Sequence, residues 1–188
     1  MTEITNKSGE LPAAIQRFVL HWGDMGGQWG VNRSVAQIHA LLLLSDRPRH
    51  AEEISETLGI ARSNVSTSIK ELIAWDLIYR VPIQGDRRDH FAAEGDVWEM
   101  VKRIAEGRKK REFDPAAAVL RDCLAEAEGD PAISTTAHAR LEEMQDFVDT
   151  LGQWHEQMMR VPKSRLVPLI KLGSRAVDLL GPLIRTKK

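Results

Sequence analysis

The chain has 188 residues, and its 26 Lys and Arg against 27 Asp and Glu give a formal net charge of −1. Hydrophobic residues make up 43% and charged residues 28%, a balance typical of a globular protein, so intrinsic disorder is excluded. The near-neutral total also excludes a protein that is basic over its whole surface. Nucleic-acid binding stays open, because the net charge is +2 over residues 61–113, −7 over 114–160 and +6 over 161–188.

The chain shows no motif of a secreted, membrane-spanning or catalytic protein. Cys123 is its one cysteine, which excludes an internal disulfide framework and a Cys-rich zinc site. No signal sequence opens the chain and no apolar run approaches the roughly 20 residues that span a bilayer, so we expect a cytoplasmic protein. Phosphate-binding glycine motifs and zinc-type histidine pairs are also missing, so we expect no enzymatic activity, cofactor or metal.

Two helices are predicted in the first 45 residues. The first runs from Leu11 to about Trp29, and the Gly26-Gly27 pair near its end indicates a break. The second runs from Arg33 to about Ser45 and contains four consecutive leucines, which is typical of a buried helix.

A helix-turn-helix is predicted next. Ala51–Leu58 reads as a short amphipathic helix, Gly59 suits the tight turn after it, and a second helix runs from about Arg62 to Trp75. The second helix turns short hydrogen-bonding and cationic side chains away from its apolar face: Arg62, Ser63, Asn64, Ser66, Thr67 and Lys70. Such side chains reach base edges and phosphates in the major groove, so this is predicted to be a recognition helix.

A β-hairpin wing is predicted directly after the recognition helix. Leu77–Val81 indicates one strand and His90–Ala92 its antiparallel return, with a polar loop between them. Arg87 and Arg88 lie in that loop, and two neighbouring aspartates are placed to orient them by ion pairing. Arginines at this position suit the narrow, electronegative minor groove, and the sequence does not decide which of the two contacts DNA.

Two longer helices are predicted to begin at Asp114-Pro115 and Asp130-Pro131, where aspartate would cap the helix and proline would be its first residue. The second should run to about Arg160 with a coiled-coil-like apolar stripe: Ala137, Leu141, Met144, Val148, Leu151, His155 and Met158. The tail continues the pattern with Leu166, Leu169, Ile170, Val177, Leu180 and Ile184. Two such stripes exceed the needs of a small core, so we expect a helical partner, most simply a second copy of the chain.

Three segments, Leu58–Ser66, Glu71–Ile78 and Gly85–Phe91, carry a resemblance to a known family. Together they resemble the GbsR-type branch of the MarR-like winged-helix repressors, and the resemblance extends over roughly residues 11–115. It implies a homodimer, held by N- and C-terminal helices, that binds a pseudo-palindromic operator. It also implies that a small effector often releases the operator.

One position departs from the family pattern. Relatives commonly have serine where this chain has Ala61, and that serine would cap the recognition helix. Alanine lacks the capping oxygen, so we expect either that Ser63 starts the helix two residues later or that DNA orders its start.

The tryptophans suggest an effector site. Trp22 and Trp29 lie seven residues apart on one helix face, with Met25 nearby. Members of the GbsR branch are associated with choline and glycine betaine, and quaternary ammonium ions favour aromatic cages. A cage formed by these three residues is therefore one hypothesis, and packing of the same side chains in the core and dimer interface is the other.

The sequence thus predicts a mainly α protein: a winged helix-turn-helix domain with a small β-hairpin wing and long N- and C-terminal dimerisation helices. The expected boundaries are 1–30 for the N-terminal dimerisation helix, 31–95 for the DNA-binding domain and 96–188 for the C-terminal dimerisation region. The expected partners are double-stranded operator DNA, a second copy of the chain and a small effector. The alternative is a winged-helix protein-interaction module in a larger assembly, without sequence-specific DNA binding.

Overall fold

The computed structural model describes residues 11–172, whose helices and strands follow the predicted order, with a short strand before the helix-turn-helix and a helix between the wing and residue 109. The elements are α1 (Ala13–Gln28), α2 (Arg33–Leu43), β1 (Arg49–His50), α3 (Ala51–Leu58), α4 (Arg62–Ala74), β2 (Ile78–Val81), β3 (His90–Ala93), α5 (Val97–Arg108), a π-helical segment (Lys109–Phe113), α6 (Asp114–Ala127), α7 (Thr135–Arg160) and α8 (Lys163–Leu172). The chain divides into two compact units between Gly107 and Arg108. The mainly α fold with a winged helix-turn-helix is confirmed.

The first unit has one apolar core to which its helices and its sheet all contribute. Its buried side chains include Val19, Ile38, Leu41, Ile54, Val65, Ile69, Leu72, Phe91 and Met100. Full burial of such a side chain stabilises the fold by roughly 1.5–3 kcal/mol. Because α3 and α4 both insert aliphatic residues into this core, the helix-turn-helix is fixed against α2 and the sheet.

Glycines allow α1 and α2 to pack closely. A Cβ on Gly26 would lie 2.5 Å from Ala36 Cβ, so only glycine permits this approach. The Gly26-Gly27 pair lies in the last turn of α1, and the predicted break follows it, close to the predicted helix end at about Trp29. The helix ends at Gln28, and the chain turns at Gly30, whose φ is 76°.

A histidine is buried in the same core. His39 on α2 is 3% exposed, and its ring centroid lies 6.4 Å from that of Trp22. Its Nε2 has no hydrogen-bond partner among the described residues. Burial lowers the pKa of His39 to about 4, because charge is disfavoured away from water.

The first unit contains a three-stranded antiparallel sheet with the strand order β1-β3-β2. Its strand β1 precedes the helix-turn-helix in the chain, and β2 and β3 follow it. The two predicted wing strands pair in the register Ile78 to Ala93 and Val81 to His90. The added strand β1 pairs His50 with His90 on the other side of β3. In the loop, Gly85 has a φ of 85° and the Asp86 amide donates to Ile83 O at 3.1 Å, which closes a tight turn.

The second unit begins in helical conformation, so the predicted cap at Asp114 is wrong. Asp114 has φ −62° and ψ −42°, and its amide donates to Lys109 O, five residues earlier. Pro115 has no N–H to donate, so the regular helical ladder cannot continue through it. The chain accommodates the proline by widening into a π-helical turn rather than by ending one helix and starting another.

The start predicted at Asp130-Pro131 is also wrong by a few residues. The Asp130 carboxylate accepts a hydrogen bond from the Ala132 amide at 2.8 Å in a local turn, so it does not cap a helix. α7 begins at Thr135, where the Ser134 hydroxyl accepts from the Ala137 amide at 3.1 Å. Its end at Arg160 is as predicted.

The single apolar stripe predicted for α7 is divided between two faces. Leu141, Val148, His155 and Met158 are half-buried, whereas Ala137, Met144 and Leu151 are exposed. The half-buried face also contains Gln145, which is buried, in a helix that packs against α6. The exposed side chains join Phe147 and Trp154, 63% and 57% exposed, in a second apolar row along α7.

The end of the chain is only partly described. Of the predicted tail stripe, Leu166, Leu169 and Ile170 lie in α8, while Val177, Leu180 and Ile184 lie outside the described residues. Within residues 11–172, no helix is both long and apolar enough to cross a membrane.

Candidate nucleic-acid interface

The helix-turn-helix forms as predicted because its turn is capped from both sides. Gly59 ends α3 in the left-handed conformation with φ 63°, which an L side chain rarely adopts. The Ser55 hydroxyl donates to Ile60 O at 2.6 Å, and the Ile60 amide donates to Ser55 O at 3.1 Å. At the start of α3, His50 and Glu53 form a reciprocal capping box.

All six predicted recognition residues are exposed on α4: Arg62, Ser63, Asn64, Ser66, Thr67 and Lys70. Two of them also make intramolecular hydrogen bonds. The Thr67 hydroxyl donates to Ser63 O at 3.1 Å, and Asn64 Nδ2 donates to the Ser34 hydroxyl of α2 at 2.9 Å. Asn64 therefore links the recognition helix to the start of α2, and this bond uses one of the two N–H groups of its amide.

The recognition helix begins without a side-chain cap. Ala61 is its N-cap residue, and no side-chain hydrogen bond is made there. The helix nevertheless starts at Arg62, and the Val65 amide donates to Ala61 O at 3.0 Å. A start delayed to Ser63 is thus wrong: burial of Val65 and Leu72 on the inner face holds the helix in place without the cap.

The two wing arginines lie in different environments. Arg88 Nε donates to Asp86 Oδ1 at 2.9 Å, its backbone amide donates to the same oxygen at 3.0 Å, and its Nη1 lies 3.0 Å from His50 Nε2. These hydrogen bonds from Arg88 hold the pKa of Asp86 well below its usual range. Arg87 is exposed and makes no hydrogen bond or ion pair within the described part of the chain. Asp89 pairs with Arg80 on β2, with Oδ2 3.8 Å from Arg80 Nε, and makes no ion pair with either wing arginine within the described residues.

A groove of about 360 Å³ lies between α4 and the wing. Ile69, Ile73 and Phe91 contribute apolar lining, and Lys70, Arg80 and Arg88 bring three cations to it. Arg80 belongs to β2 and was missed by sequence reasoning, because a strand leading into a wing gave no reason to select it. Because Arg80 lines the same groove as Lys70, it is a further candidate for a phosphate contact.

One carboxylate reaches both arginine-bearing elements. Glu52 Oε1 lies 2.9 Å from Arg62 Nη1, and Glu52 Oε2 lies 3.9 Å from Arg88 Nη1. Residues 11–172 contain no group of three or more His, Cys, Asp or Glu side chains that could hold a metal ion.

The proposed cage residues lie around α1. Trp22 is half-buried and stacks on Phe18 with ring centroids 5.4 Å apart, and Met25 is also half-buried. Trp29 follows the last residue of α1 and is 59% exposed. The aromatic cage stays a prediction.

Comparison with known proteins gives one family match and one structural match that bears on the fold. Residues 29–89, from the end of α1 to the wing loop, match the model of the MarR family. A solved structure described as a transcriptional regulator has 20% sequence identity and a TM-score of 0.61, and the match covers 78% of this chain and 95% of that chain. A search of the curated proteins found no match.

Two further solved structures resemble the chain more weakly. A transcriptional regulator of Thermotoga maritima has 18% identity, with 79% of this chain and 94% of that chain covered. A mutant of MepR from S. aureus, bound to an oligodeoxyribonucleotide, has 14% identity, with 73% and 90% covered. Both have a TM-score of 0.36, which is too low to support any conclusion about this chain. The fold is that of a MarR-like winged-helix protein, and the match to the MarR family model covers residues 29–89, from the end of α1 to the wing loop.

Proposed function

We propose that this chain is a DNA-binding transcriptional regulator that acts as a homodimeric repressor on a pseudo-palindromic operator. The observation that carries the proposal is the exposed polar face of α4 beside a wing that holds Arg87 and Arg88. A helix fits the major groove, and an adjacent arginine-bearing hairpin reaches the neighbouring minor groove. Its proposed ligand is the operator DNA of the cell, which agrees with the predicted cytoplasmic location.

The residues of α4 divide into two proposed roles. Lys70 and Arg62 neutralise phosphates and make the affinity salt-dependent. Ser63, Ser66 and Thr67 are exposed and short enough to reach base edges, and Asn64 joins them with the part of its amide that Ser34 does not use.

The wing arginines have different proposed roles. Asp86 holds the Arg88 guanidinium in one orientation, so Arg88 would enter the minor groove with little further ordering. Arg87 has no such restraint and would adjust to the phosphate or groove that it meets. On this reading Asp86 assists DNA binding although its charge repels phosphates.

A salt-dependent gel shift on a duplex from the gene's own upstream region tests the proposal. We expect binding that weakens steeply with salt, and a loss of about tenfold or more when Arg87 and Arg88 are both replaced by alanine. Arg140→Ala is the matched control, because Arg140 is an exposed arginine on α7 that pairs with Glu143. No salt-dependent binding would favour the protein-interaction module, and unchanged affinity of the double variant would refute the role of the wing.

Asp86→Asn separates orientation from simple charge. If Asp86 orients Arg88, the variant should bind the same duplex about three- to tenfold more weakly, although it carries one negative charge fewer. Tighter binding by the variant would show that Asp86 only competes with DNA.

The exposed apolar row of α7 supports the homodimer. Met144, Phe147, Leu151 and Trp154 recur every three or four residues on one side of the helix, which is the spacing of a helix–helix seam. A two-fold dimer would then present two copies of α4 to the two half-sites of an operator. Analytical ultracentrifugation of Phe147→Glu should show a shift towards monomer. Gln153→Glu, which adds the same charge to an exposed polar position of α7, should leave the wild-type dimer intact, and a dimeric Phe147→Glu would exclude this row from the interface.

The effector is the most specific part of the proposal. We infer membership of the GbsR-type branch from the sequence resemblance, and with it a cage of Trp22, Met25 and Trp29 for choline or glycine betaine. Titration of tryptophan fluorescence with either compound should give a saturable change that Trp29→Leu reduces. Its absence would remove the cage without affecting DNA binding.

A further inference from the structure

Glu52 is the carboxylate that connects the recognition helix to the wing. It lies in the first turn of α3, with Oε1 2.9 Å from Arg62 Nη1 and Oε2 3.9 Å from Arg88 Nη1. Arg62 begins α4, whereas Arg88 belongs to the wing loop. One negative charge is therefore placed between two of the cations that are proposed to meet DNA.

These contacts contribute little to folding. The side chains of Glu52, Arg62 and Arg88 are 44%, 71% and 53% exposed, and ion pairs with this much exposure add little stability because water and salt screen them. α3 is held instead by the buried Ile54 and by its caps at both ends. The pairing of Glu52 with Arg62 and Arg88 thus adds little to the stability of the fold, and the contribution of Glu52 to α3 is that of a carboxylate in the first turn of a helix.

The same contacts matter more when DNA approaches. An arginine that is already paired neutralises a phosphate only after its carboxylate partner is displaced. The displaced carboxylate then associates with a salt cation from solution. That uptake offsets part of the counter-ion release that drives binding to DNA. Glu52 should therefore lower both the affinity for DNA and the steepness of its salt dependence.

We propose that Glu52 is a built-in counter-ion that pairs with Arg62 in the free protein and lies near Arg88, and that it weakens the binding of Arg62 to DNA phosphates. This inference rests on the proposed function and adds to it a residue that sets the strength of the phosphate contacts. Because phosphate contacts are the same on every sequence, Glu52 restrains binding to DNA in general and leaves discrimination to the base contacts of α4.

The test compares Glu52→Gln with the wild-type protein on two duplexes, the gene's upstream region and a scrambled sequence of equal length. We expect affinity for both duplexes to rise about three- to tenfold at about 0.1 M salt. The plot of log affinity against log salt should steepen by up to about one unit, because one cation fewer is taken up on binding. A purely structural role for Glu52 would not steepen this plot.

Glu56→Gln is the matched control. Glu56 is an exposed residue of the same helix, one turn later, and makes no ion pair with Arg62 or Arg88 within the described residues. Its variant should bind both duplexes like the wild type. Glu52→Ala provides a second variant, and thermal unfolding of each protein checks that it is folded.

The outcomes separate the two proposals. If the wild-type protein shows no salt-dependent binding, the proposed function has failed. If it binds, but Glu52→Gln and Glu52→Ala bind more weakly or no differently from Glu56→Gln, the counter-ion role is wrong and DNA binding stands.

Discussion

The buried imidazole of His39 makes the stability of the first unit depend on pH. Its pKa is about 4 in the folded protein, against about 6.5 for an unperturbed histidine. Above pH 6.5 the ring is neutral in both states, so it has no pH-linked effect. As the pH falls below 6.5, His39 binds a proton in the unfolded chain but not in the folded protein. The free energy of unfolding therefore decreases until the pH reaches the pKa of His39 in the folded protein.

The size of the loss follows from the difference between the two pKa values. Each pKa unit corresponds to about 1.4 kcal/mol, so the His39 contribution falls by about 2 kcal/mol between pH 7 and pH 5 and by about 3 kcal/mol at pH 4. The chain also has five other histidines and many carboxylates, whose effects on stability must be separated from that of His39. A comparison with a variant that lacks only this imidazole is therefore needed.

His39→Leu is that variant, since leucine has a similar volume and no charge to bury. Urea unfolding of both proteins at a series of pH values from 7 to 4.5 gives the difference in free energy of unfolding. We expect the wild type to lose about 2 kcal/mol more than the variant between pH 7 and pH 5. Parallel curves would show that His39 is hydrated or paired in solution, and the reasoning from burial would be wrong.

Three substitutions and one control test packing and backbone geometry. Gly107→Ala places a Cβ 2.5 Å from Trp75 Cε3 and should cost about 1–3 kcal/mol in urea unfolding, whereas Gly152→Ala, which meets no atom within 4 Å, should be neutral or stabilising. Ala61→Ser adds the missing cap and should raise stability by about 1 kcal/mol; an unchanged melting temperature would show that the α4 amides are already satisfied. Gly59→Ala forces a side chain into the left-handed region and should cost about 1 kcal/mol, and a neutral result would mean that α3 can end differently.

Most of the first unit could be predicted because its signals are local. Gly59 and the apolar spacing on either side of it determine the helix-turn-helix, and both of its helices begin at the predicted residues. The wing strands follow from the strand-forming residues Ile78, Tyr79 and Val81, a glycine-containing turn and the aromatic residue Phe91 in the returning strand. In each case one short stretch of sequence contains the whole reason for the structure.

The errors arise where the reason lies elsewhere in the chain. β1 is two residues long and exists only because β3 offers a free edge, so no pattern in its own sequence predicts it. In α7, apolar residues occur on both sides of Leu141 and Val148, and the spacing alone could not show which side packs on α6. The Asp114-Pro115 pair is typical of a helix start, but the chain before Asp114 is already helical.

The same division applies to the candidate site. The exposed face of α4 could be predicted from helical periodicity, because polar residues that alternate with inward-facing apolar residues point to solvent. The hydrogen-bond and ion-pair partners of those residues could not be predicted. Glu52 and Ser34 come close to α4 through packing between helices, and their spacing from it along the sequence gives no sign of this.

The capping box at α3 leaves His50 with two demands that one ring cannot meet together. Nδ1 accepts the Glu53 amide at 3.3 Å, which in a neutral imidazole puts the single proton on Nε2. Nε2, however, lies 3.0 Å from Arg88 Nη1, which can only donate. The ring satisfies either the cap or the wing arginine, depending on its tautomer. A shift of one proton across this imidazole therefore exchanges one hydrogen bond at the start of α3 for one to the wing arginine, which Asp86 holds in either case.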